Sequence, residues 1–313
     1  MKTAIIIGSE GQDGTLLRYL LSQKGYKVIS IGRKKRKTNK SDTYIFFQFD
    51  LDKDYFDNLL NYILKNTPDE IYYLAAFHKS SQEDSENDIE ALDSSIKVNY
   101  LSFVRILEIC RIYNIQARII FTSSSLIFAG CENEVQDEST SFSPKCVYSL
   151  NKCASMAAAK YYRETFGMFV SVGIMYNHES MLRGGKFLSQ HVIGEIKKYL
   201  AGKIDKIVIG DIFASSDWGY APDYVQALWH ILQLPQADTF IVSSGKAHQV
   251  KDWFEVLFEY LDMDWQKCIS TDKSLIVRKK PTLIGDNTKL LSTGWTPKTS
   301  FSEMVIKLYK GII

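Results

Sequence analysis

The N-terminal residues predict a buried strand, a glycine-rich turn, a helix and a second strand. Thr3–Ile7 is a short apolar run rich in β-branched residues, as expected for a strand buried on both faces. The turn Gly8–Gly14 follows at once, then the helical pattern Thr15–Leu21 and the apolar run Lys27–Ile31. A strand, a crossover helix and a parallel strand form the unit of α/β folds, so this order constrains the fold more than any other feature.

The turn has glycines at positions 8, 11 and 14, in the spacing GxxGxxG. Such glycines let the backbone approach a pyrophosphate, while the helix N-terminus offers free N–H groups and the positive end of its dipole. We therefore predict that Gly8, Gly11, Gln12, Asp13 and Gly14 bind a dinucleotide. The alternative, in which the glycines mark turns only, is weakened by the flanking strand and helix.

Five basic residues, 33–37, follow the second predicted strand. An NAD site usually has an acidic residue at this place, which accepts a hydrogen bond from the ribose 2′-hydroxyl. Arginine binds a 2′-phosphate well, so Arg33 and its neighbours favour NADP, with NAD as a possible cofactor. A solvated basic loop is the alternative for some of the lysines, because five side chains cannot all reach one phosphate.

The composition is ordinary for a soluble globular protein. The chain has 313 residues, 45% hydrophobic and 24% charged, enough for a large core in one or two domains. A net charge of +2 does not indicate a nucleic-acid partner. Five scattered cysteines and five histidines lack zinc-ligand spacing, so we expect no metal site and reduced thiols in a cytoplasmic protein. We find no stretch of membrane-spanning length and expect no membrane partner or signal peptide.

Strand and helix patterns alternate as far as residue 175. Strands are predicted at 44–49, 68–74, 117–121 and 168–174, and helices at 55–65, 89–113 and 148–166. The fold class that follows is α/β, with a Rossmann-type, doubly wound parallel sheet in an NADP-binding domain over residues 1–175. Residues 176–313 predict a smaller, interwoven C-terminal substrate-binding lobe, part of which returns to the first domain. It has a polar loop at 177–186 and helices at 187–200, 221–234, 251–261 and after Ser300.

Tyr148 and Lys152 are four residues apart in a predicted helix, so their side chains share one face. A nearby ammonium favours the phenolate, so Lys152 is expected to lower the tyrosine pKa from its ordinary value of about 10. Such a phenol can move a proton to or from a sugar hydroxyl, which the hydroxyls of Thr122–Ser125 would orient. The spacing alone also occurs by chance on surface helices, and it gains weight from the cofactor turn in the same chain.

These motifs together resemble the extended short-chain dehydrogenase/reductase family over nearly the whole chain. Within it, the chain resembles the GDP-mannose 4,6-dehydratases and the GDP-4-keto-6-deoxymannose reductases. The segments that carry the resemblance are 8–14, 74–76, 148–152, 161–168, 177–180, 183–184, 217–219, 223–225 and 294–297. The Gln-Asp pair of the glycine turn and the Asn-His-Glu-Ser segment at 177–180 are specific to this branch.

The resemblance implies a nicotinamide cofactor, a nucleotide-diphosphate sugar as substrate, and hydride transfer at sugar C4. It implies that Ser124 holds the substrate hydroxyl, that Tyr148 is the acid/base catalyst, and that Lys152 holds the nicotinamide ribose. The other residues that it assigns to the cofactor are Asp50 and Leu51 at the adenine and Leu74, Ala75, Ala76 and Asn99 along the cleft.

For the substrate, the resemblance assigns Asn177 to the phosphates and places His178, Glu179, Arg183 and Lys186 nearby. His178 and Glu179 have an alternative role, in which they order the loop backbone and do not touch substrate. The family usually dimerises through the helices near 89–113 and 148–166, so the resemblance also implies a homodimer or homotetramer.

Three positions depart from the family pattern. In the dehydratases, a glutamate two residues after the catalytic Ser or Thr removes the C5 proton so that water leaves C6. Here this position is Leu126, which cannot accept a proton. Ser216 and Gln190 stand where the family has a basic residue and an arginine that grip the diphosphate. Arg183, Lys186 and residues 278–280 are possible substitutes.

These departures favour an NADP-dependent reductase or dehydrogenase that acts at C4 of a nucleotide-diphosphate sugar, with GDP as the expected nucleotide, in deoxy-sugar biosynthesis. One alternative is a 4,6-dehydratase whose base comes from elsewhere, with Glu179 or an acid within 132–138 as candidates. An epimerase is a related alternative. A cofactor-binding protein without activity is a third class, against which the intact Ser124, Tyr148 and Lys152 argue.

Overall fold

A seven-stranded parallel sheet forms the centre of the fold. The structure is a computed structural model that describes residues 1–34, 44–78, 89–185, 187–275 and 281–312. The strands are β1 (Thr3–Ile7), β2 (Lys27–Gly32), β3 (Ile45–Gln48), β4 (Glu70–Tyr73), β5 (Arg118–Ser124), β6 (Val135–Gln136), β7 (Val170–Met175), β8 (Asn177–Glu179), β9 (Ile207–Ile209), β10 (Ser215–Tyr220), β11 (Thr239–Val242), β12 (Ala247–Gln249), β13 (Ile269–Thr271) and β14 (Ile284–Gly285).

The helices lie between these strands. They are α1 (Gln12–Gln23), α2 (Phe56–Asn66), α3 (Ile89–Ile96), α4 (Ser102–Ile112), α5 (Val147–Phe166), α6 (Leu188–Leu200), α7 (Ala221–Gln233), α8 (Val250–Tyr260), α9 (Thr288–Leu291) and α10 (Phe301–Lys310). A π-helical turn, Lys97–Leu101, joins α3 to α4. A short 3₁₀ turn, Ser125–Phe128, follows β5.

The sheet has the strand order β11-β7-β5-β4-β1-β2-β3, and all neighbouring strands are parallel. The order reverses between β1 and β4, which is where ligands bind in doubly wound sheets, beyond the carboxyl ends of the strands. The predicted doubly wound parallel sheet is therefore confirmed. Its seventh strand, β11, comes from the C-terminal half of the chain.

The two faces of the sheet bury separate cores because side chains alternate along each strand. Ile5 and Ile7 belong to the core that includes Phe103 of α4, whereas Ala4 and Ile6 belong to the core that includes Leu17 of α1. All six side chains are completely buried. Burying an isoleucine or leucine contributes about 1.5–3 kcal/mol, so strand β1 is anchored firmly beneath the glycine turn that follows it.

The remaining C-terminal elements bury a third core, in which Val192 of α6, Trp253 of α8 and Met304 of α10 take part. A small sheet of β12, β10 and β8 lies beside it. The loop predicted at 177–186 is wrong at its start, since Asn177–Glu179 forms β8 and pairs in parallel with Trp218–Tyr220 of β10. The backbone of this polar segment finds its partners about 40 residues away, which no local pattern reveals.

Two further properties bear on the sequence predictions. All five cysteines are free thiols. In the part of the chain that the structure describes, no helix has the length and apolar character needed to cross a membrane. The expected domain boundary near residue 175 stays a prediction.

Candidate active site

Residues predicted to bind cofactor and substrate meet where the central strands end. Gly8 follows β1, Ala75 follows β4, and Ser124 is the last residue of β5. The Leu74 N–H donates to the Ile7 carbonyl at 2.9 Å, which holds the ends of β1 and β4 side by side. Parallel pairing thus places side chains from distant parts of the chain at one edge.

The glycine turn is shaped by close backbone contacts that a side chain would prevent. Gly8 has a positive φ of 88°, and a Cβ there would lie 2.6 Å from the Ala75 nitrogen. A Cβ at Gly14 would lie 2.4 Å from the Gly8 carbonyl oxygen, so α1 starts directly against the turn. Only glycine meets both demands without strain.

The same turn fits the phosphates of a dinucleotide. Gly11 is the residue before α1, and the one neighbouring atom within 4 Å of a Cβ built there is the Gly8 oxygen, at 3.4 Å. This space beside the free N–H groups of α1 is where an anion would approach. Arg33 is exposed just beyond β2, at the position suited to a 2′-phosphate, while 35–37 of the basic run lie outside the described residues.

An ion pair close to Arg33 was missed by the sequence reasoning. The Glu10 carboxylate lies 3.2 Å from Arg18 Nη1 and accepts a hydrogen bond from Ser9. A Cβ at Gly32 would lie 3.1 Å from Glu10 Cγ, so this acid packs beneath the end of β2. Its charge is balanced by Arg18, which leaves the basic character of Arg33 dominant at this end of the strand.

Ser124, Tyr148 and Lys152 come together at the end of β5. Ser124 Oγ accepts from the Leu126 N–H at 3.3 Å, and the Ser124 hydroxyl is close enough to the Tyr148 phenol to lower its pKa. Lys152 is 1% exposed, and its Nζ donates to the Thr122 carbonyl at 2.8 Å. The Nζ atom lies 5.6 Å from the centroid of the Tyr148 ring. The predicted catalytic residues therefore share one site.

The expected lowering of the Tyr148 pKa is wrong. Burial raises the pKa of Tyr148 to about 12, and the opposing effects of Ser124 and Arg183 offset only part of that rise. Burial also lowers the pKa of Lys152 to about 7, so its ammonium is partly deprotonated near neutral pH. Tyr148 and Lys152 do share a face of the helix, but the Lys152 ammonium donates to the Thr122 carbonyl. The effect of burial on the Tyr148 pKa therefore outweighs that of a partly protonated lysine.

The two branch-specific segments of the sequence bind each other. Gln12 Nε2 donates to the His178 carbonyl at 3.1 Å, and Ser180 Oγ donates to Gln12 Oε1 at 2.9 Å. The His178 ring is hydrogen-bonded to Asp13 through Nε2 and to the Tyr176 carbonyl through Nδ1. His178 is thus in place to order the strand end, and its substrate contact stays a prediction.

Strand β8 and the segment after it carry the predicted substrate-binding residues that the structure describes. Asn177 is the residue predicted to bind the substrate phosphates. Its Nδ2 donates at 2.6 Å to the Oγ of Ser216, one of the three positions that depart from the family pattern. Glu179 is 3% exposed and accepts from Ser189 at 2.6 Å. The Arg183 guanidinium packs 3.8 Å from the centroid of the Phe187 ring, and its charge acts on both Tyr148 and Asp13. Of the basic residues proposed as substitutes, Arg183 is the one among the described residues, and it lies near the site.

Other predicted positions are now placed. Gln190 donates to the Ser180 carbonyl and holds the loop, while Lys186 and 278–280 lie outside the described residues. Asp50 Oδ1 accepts from the Asp52 N–H in the turn after β3, next to Leu51. Thr122 Oγ1 donates to the Tyr73 carbonyl, as expected for a hydroxyl that pairs with backbone.

Asn99 binds the loop after β4 through its side chain. Its Oδ1 accepts from the Phe77 N–H at 3.0 Å, and its Nδ2 donates to the Phe77 carbonyl at 2.8 Å. Asn99 is completely buried in the π-helical turn, a type of distortion that often marks functional sites. The Asn99 amide thus helps to shape the cofactor cleft indirectly, because it holds the loop that follows Ala75 and Ala76.

His78 is a site residue that the sequence reasoning missed. Its ring packs edge-on against the Tyr148 ring, with centroids 4.6 Å apart and planes 73° apart. His78 is exposed, one residue beyond the Phe77 that Asn99 clamps. The sequence did contain a signal for His78, since it lies four residues after Leu74, near a strand end on the ligand-binding side of the sheet.

Comparison with known proteins identifies the family. A model of the GDP-mannose 4,6 dehydratase family matches residues 5–308. The chain belongs to this family. GDP-mannose 4,6 dehydratase 1 of Arabidopsis thaliana is 31% identical over 97% of this chain and 88% of the plant protein. GDP-mannose 4,6-dehydratase of Yersinia enterocolitica is 29% identical over 99% of this chain and 94% of its own.

The fold agrees with that family assignment. The solved structure of dTDP-glucose 4,6-dehydratase from Bacillus anthracis, in complex with NAD, matches with a TM-score of 0.81. The match covers 99% of this chain and 96% of the other at 18% identity, and it shows the common fold.

Family membership confirms three of the sequence predictions. The chain is an enzyme of the extended short-chain dehydrogenase/reductase type, it acts on nucleotide sugars, and it uses NADP, with NAD possible. The class of cofactor-binding proteins without activity is thereby set aside. Because the family and these relatives are dehydratases, the comparisons support the 4,6-dehydratase alternative better than the reductase that Leu126 favoured.

Proposed function

We propose that the protein is a GDP-hexose 4,6-dehydratase that oxidises the sugar at C4 and releases water from C5 and C6. The observation that carries this is the convergence of Ser124, Tyr148 and Lys152 at the ligand edge of the sheet, in a chain that matches the dehydratase family over residues 5–308. The nucleotide and the sugar are the finer part of the proposal and rest on the relatives.

The cofactor would be held by groups on both sides of the sheet's switch point. The backbone of Gly8–Gly14 and the N–H groups of α1 would bind the pyrophosphate, and Arg33 would bind the 2′-phosphate. Asp50 and Leu51 would contact the adenine, and Lys152 would hold the nicotinamide ribose. When bound, NADP supplies the hydride acceptor and donor for the sugar. The residues around it set the geometry and handle the protons.

Tyr148 exchanges the proton of the C4 oxygen, and Ser124 orients that oxygen. With a pKa of about 12, the phenol is protonated at neutral pH and is a ready proton donor. To accept a proton the phenol must first ionise, and the Ser124 hydroxyl and the Arg183 charge both act to lower its pKa. Protonation of Lys152, whose pKa of about 7 lies at working pH, adds to them.

The substrate diphosphate is assigned to Asn177 and Arg183. Asn177 sits at the start of β8 beside Ser216, and Arg183 is held between Glu179 and the Phe187 ring. His178 and Glu179, buried behind them, fix the strand that presents Asn177. One guanidinium here does the work of the two basic groups that Ser216 and Gln190 replace.

The test is conversion of GDP-mannose. Purified enzyme with NADP⁺ is expected to form a GDP-4-keto-6-deoxy sugar, followed by NMR of the C6 methyl group. UDP-glucose and dTDP-glucose serve as matched substrates that differ in the nucleotide and sugar. Absence of the ketone with GDP-mannose, from enzyme that binds NADP, would refute the assignment.

A reductase of 4-keto sugars is the second candidate. Two observations favour it: Leu126, partly exposed in the turn after Ser124, offers no base, and the Tyr148 phenol is protonated and set to donate. Oxidation of NADPH by GDP-4-keto-6-deoxymannose, without release of water from GDP-mannose, would select this function over the first.

The expected quaternary structure and location are also proposals. The face of α4 and α5 has exposed aromatic side chains, among them Tyr161 of α5 and Tyr113, which directly follows α4. A homodimer or homotetramer through this face is expected to show in sedimentation, and Tyr161→Glu is expected to yield monomers. The cytoplasmic location is testable by fractionation of cells that express the chain.

A further inference from the structure

His78 lies against the catalytic tyrosine in a position fixed by a buried polar network. Its imidazole packs edge-on against the Tyr148 ring, 4.6 Å between centroids, and it is exposed at the ligand edge of the sheet. An imidazole has a lone pair to accept a proton at neutral pH, which makes it the commonest general base in enzymes.

This hydrogen-bond network fixes the loop that carries His78 relative to the helix that carries Tyr148. Asn99 clamps both backbone groups of Phe77, the residue before His78. The Asn99 amide also donates to Ser95 Oγ at 3.0 Å, and that hydroxyl accepts in turn from Asn151 of α5, the helix that carries Tyr148. One set of hydrogen bonds thus joins the loop that carries His78, the π-helical turn, α3 and the helix α5 that carries Tyr148.

Loss of water from a 4-keto sugar needs a base beside the site of oxidation. The C5 proton is α to the C4 ketone, and the C6 hydroxyl is the leaving group. The side chain of Leu126 cannot accept a proton, although it lies two residues beyond Ser124. A base is required within reach of the carbon next to the one that Tyr148 serves.

Two of the carboxylates considered from the sequence are bonded to protein partners. Glu179 is buried and bonded to Ser189, and Glu138 accepts from the Ile241 N–H at 2.8 Å. Glu132 and Asp137 line a surface cleft with Asp286. These contacts argue against Glu179 and Glu138 as the base, while a base among the other acids of 132–138 stays a prediction.

We propose that His78 is the base that removes the C5 proton, an inference that rests on the proposed dehydratase function. An imidazole nitrogen takes the proton, and the C5–H electron pair forms the C5–C6 double bond as the C6–O bond breaks. The leaving oxygen takes the proton from the imidazolium and departs as water. NADP⁺, when bound, would supply the oxidant for C4 and, in its reduced form, the hydride for C6, while His78 passes a proton from solvent to C5. The net change is loss of one water.

The base step is testable without redox turnover, because the 4-keto-6-deoxy product retains a C5 proton that the same base exchanges. Holoenzyme is mixed with GDP-4-keto-6-deoxymannose in D₂O, and deuterium at C5 is followed by NMR. His78→Gln is expected to slow exchange at least about 100-fold, the usual size of a general-base contribution. The exposed His191→Gln on α6 is the matched control, expected to exchange at the wild-type rate.

Two further readouts separate chemistry from folding and binding. His78→Gln and a second variant, His78→Asn, are expected to bind the ketone as wild type does. Both are expected to keep the first oxidation of GDP-mannose, seen as nicotinamide absorbance in a single turnover, within about threefold. Added imidazole is expected to restore part of the C5 exchange in both variants.

The outcomes distinguish this inference from the function on which it rests. Wild-type rates of C5 exchange in folded His78→Gln and His78→Asn would overturn the role of His78, while dehydration of GDP-mannose would leave the proposed function standing. Absence of C5 exchange in wild-type enzyme that dehydrates GDP-mannose would also overturn the role of His78, whereas absence of dehydration would overturn the proposed function. NADPH-dependent reduction of the ketone would then identify the second candidate.

Discussion

His178 Nε2 lies 3.0 Å from both carboxylate oxygens of Asp13, which joins the glycine turn to β8 across 165 residues of sequence. Burial opposes both charges, yet the mutual attraction wins: the pKa of Asp13 is lowered and that of His178 is raised. The cofactor turn and the strand that presents Asn177 are therefore one electrostatic unit. This contact holds together the two segments that are specific to this branch of the family.

Replacing His178 is expected to remove a pH-dependent part of the stability. The folded His178 pKa is above its ordinary 6.5, so its contribution is full below pH 6.5 and is lost as pH rises through the folded value. The Asp13 contribution is present above its ordinary 3.8 and is lost as pH falls through the lowered value. His178→Gln should lower the free energy of unfolding by about 3 kcal/mol between these limits. Urea unfolding at several pH values checks this, and identical pH profiles for both proteins would contradict it.

Tyr148→Phe is expected to abolish proton transfer while leaving the fold intact. The lost hydroxyl should reduce kcat about 10²–10⁴-fold, with NADP affinity within about twofold of wild type. Tyr161→Phe is the matched control, since Tyr161 is 54% exposed on the same helix. Steady-state kinetics and cofactor titration measure both effects. Equal activity of the two variants would remove Tyr148 from the mechanism.

Local patterns predicted most elements because their causes are local. The terminal helix is an example, since Ser300 accepts from the Glu303 N–H and Glu303 reaches back to Ser300, a capping box visible in the sequence. Strand β3 was predicted at 44–49 and is found at Ile45–Gln48. Gly8 and Ala75 lie at one edge of the sheet because of its parallel topology, which the alternation of strands and helices dictates.

The errors concern contacts that depend on the tertiary fold. Residue spacing places Lys152 on the Tyr148 face of α5, but only the packing shows that Nζ donates to Thr122. The pairing of Asn177 with Trp218 and that of β11 with β7 likewise depend on residues that are distant in the sequence. His78 was missed because its partner ring is 70 positions away. Burial, which decides both shifted pKa values at this site, is a property of the whole fold.

Lys152→Met is expected to stabilise the protein while inactivating it. The folded pKa of about 7 lies below the ordinary 10.5, so unfolding takes up a proton between these values. Wild-type stability therefore falls as pH decreases from 10.5 to 7. Removing the buried amine should raise the free energy of unfolding at pH 7 by about 1–3 kcal/mol, after the lost bond to Thr122 is included. Denaturant unfolding at pH 7 and 10 checks this, and an unchanged pH dependence would contradict it.

Asp217→Asn is expected to destabilise the C-terminal elements. The buried carboxylate accepts from the backbone N–H groups of Ser244, Gly245 and Gly285 and from the Ser244 hydroxyl. Burial raises its pKa to about 6, so it is ionised at pH 7. The asparagine side chain has an NH₂ group in place of one carboxylate oxygen, so a donor faces these donors. We expect this to lower the free energy of unfolding by about 2–4 kcal/mol. Asp205→Asn, at an exposed position, is the control. Thermal melts that do not differ between the variants would contradict the prediction.

Arg33→Ala is expected to change the choice of cofactor. Arg33 is exposed beyond the end of β2, where the nearby acid Glu10 is already neutralised by Arg18 at 3.2 Å. A guanidinium bonds a phosphate through two parallel N–H groups, so its loss should weaken NADPH about tenfold or more. NADH has a hydroxyl at that position, and its affinity should change less than twofold. Fluorescence titration of both cofactors gives the two dissociation constants. An equal loss for NADH and NADPH would place Arg33 at a shared group such as the pyrophosphate, and no loss for either would place it in a solvated loop.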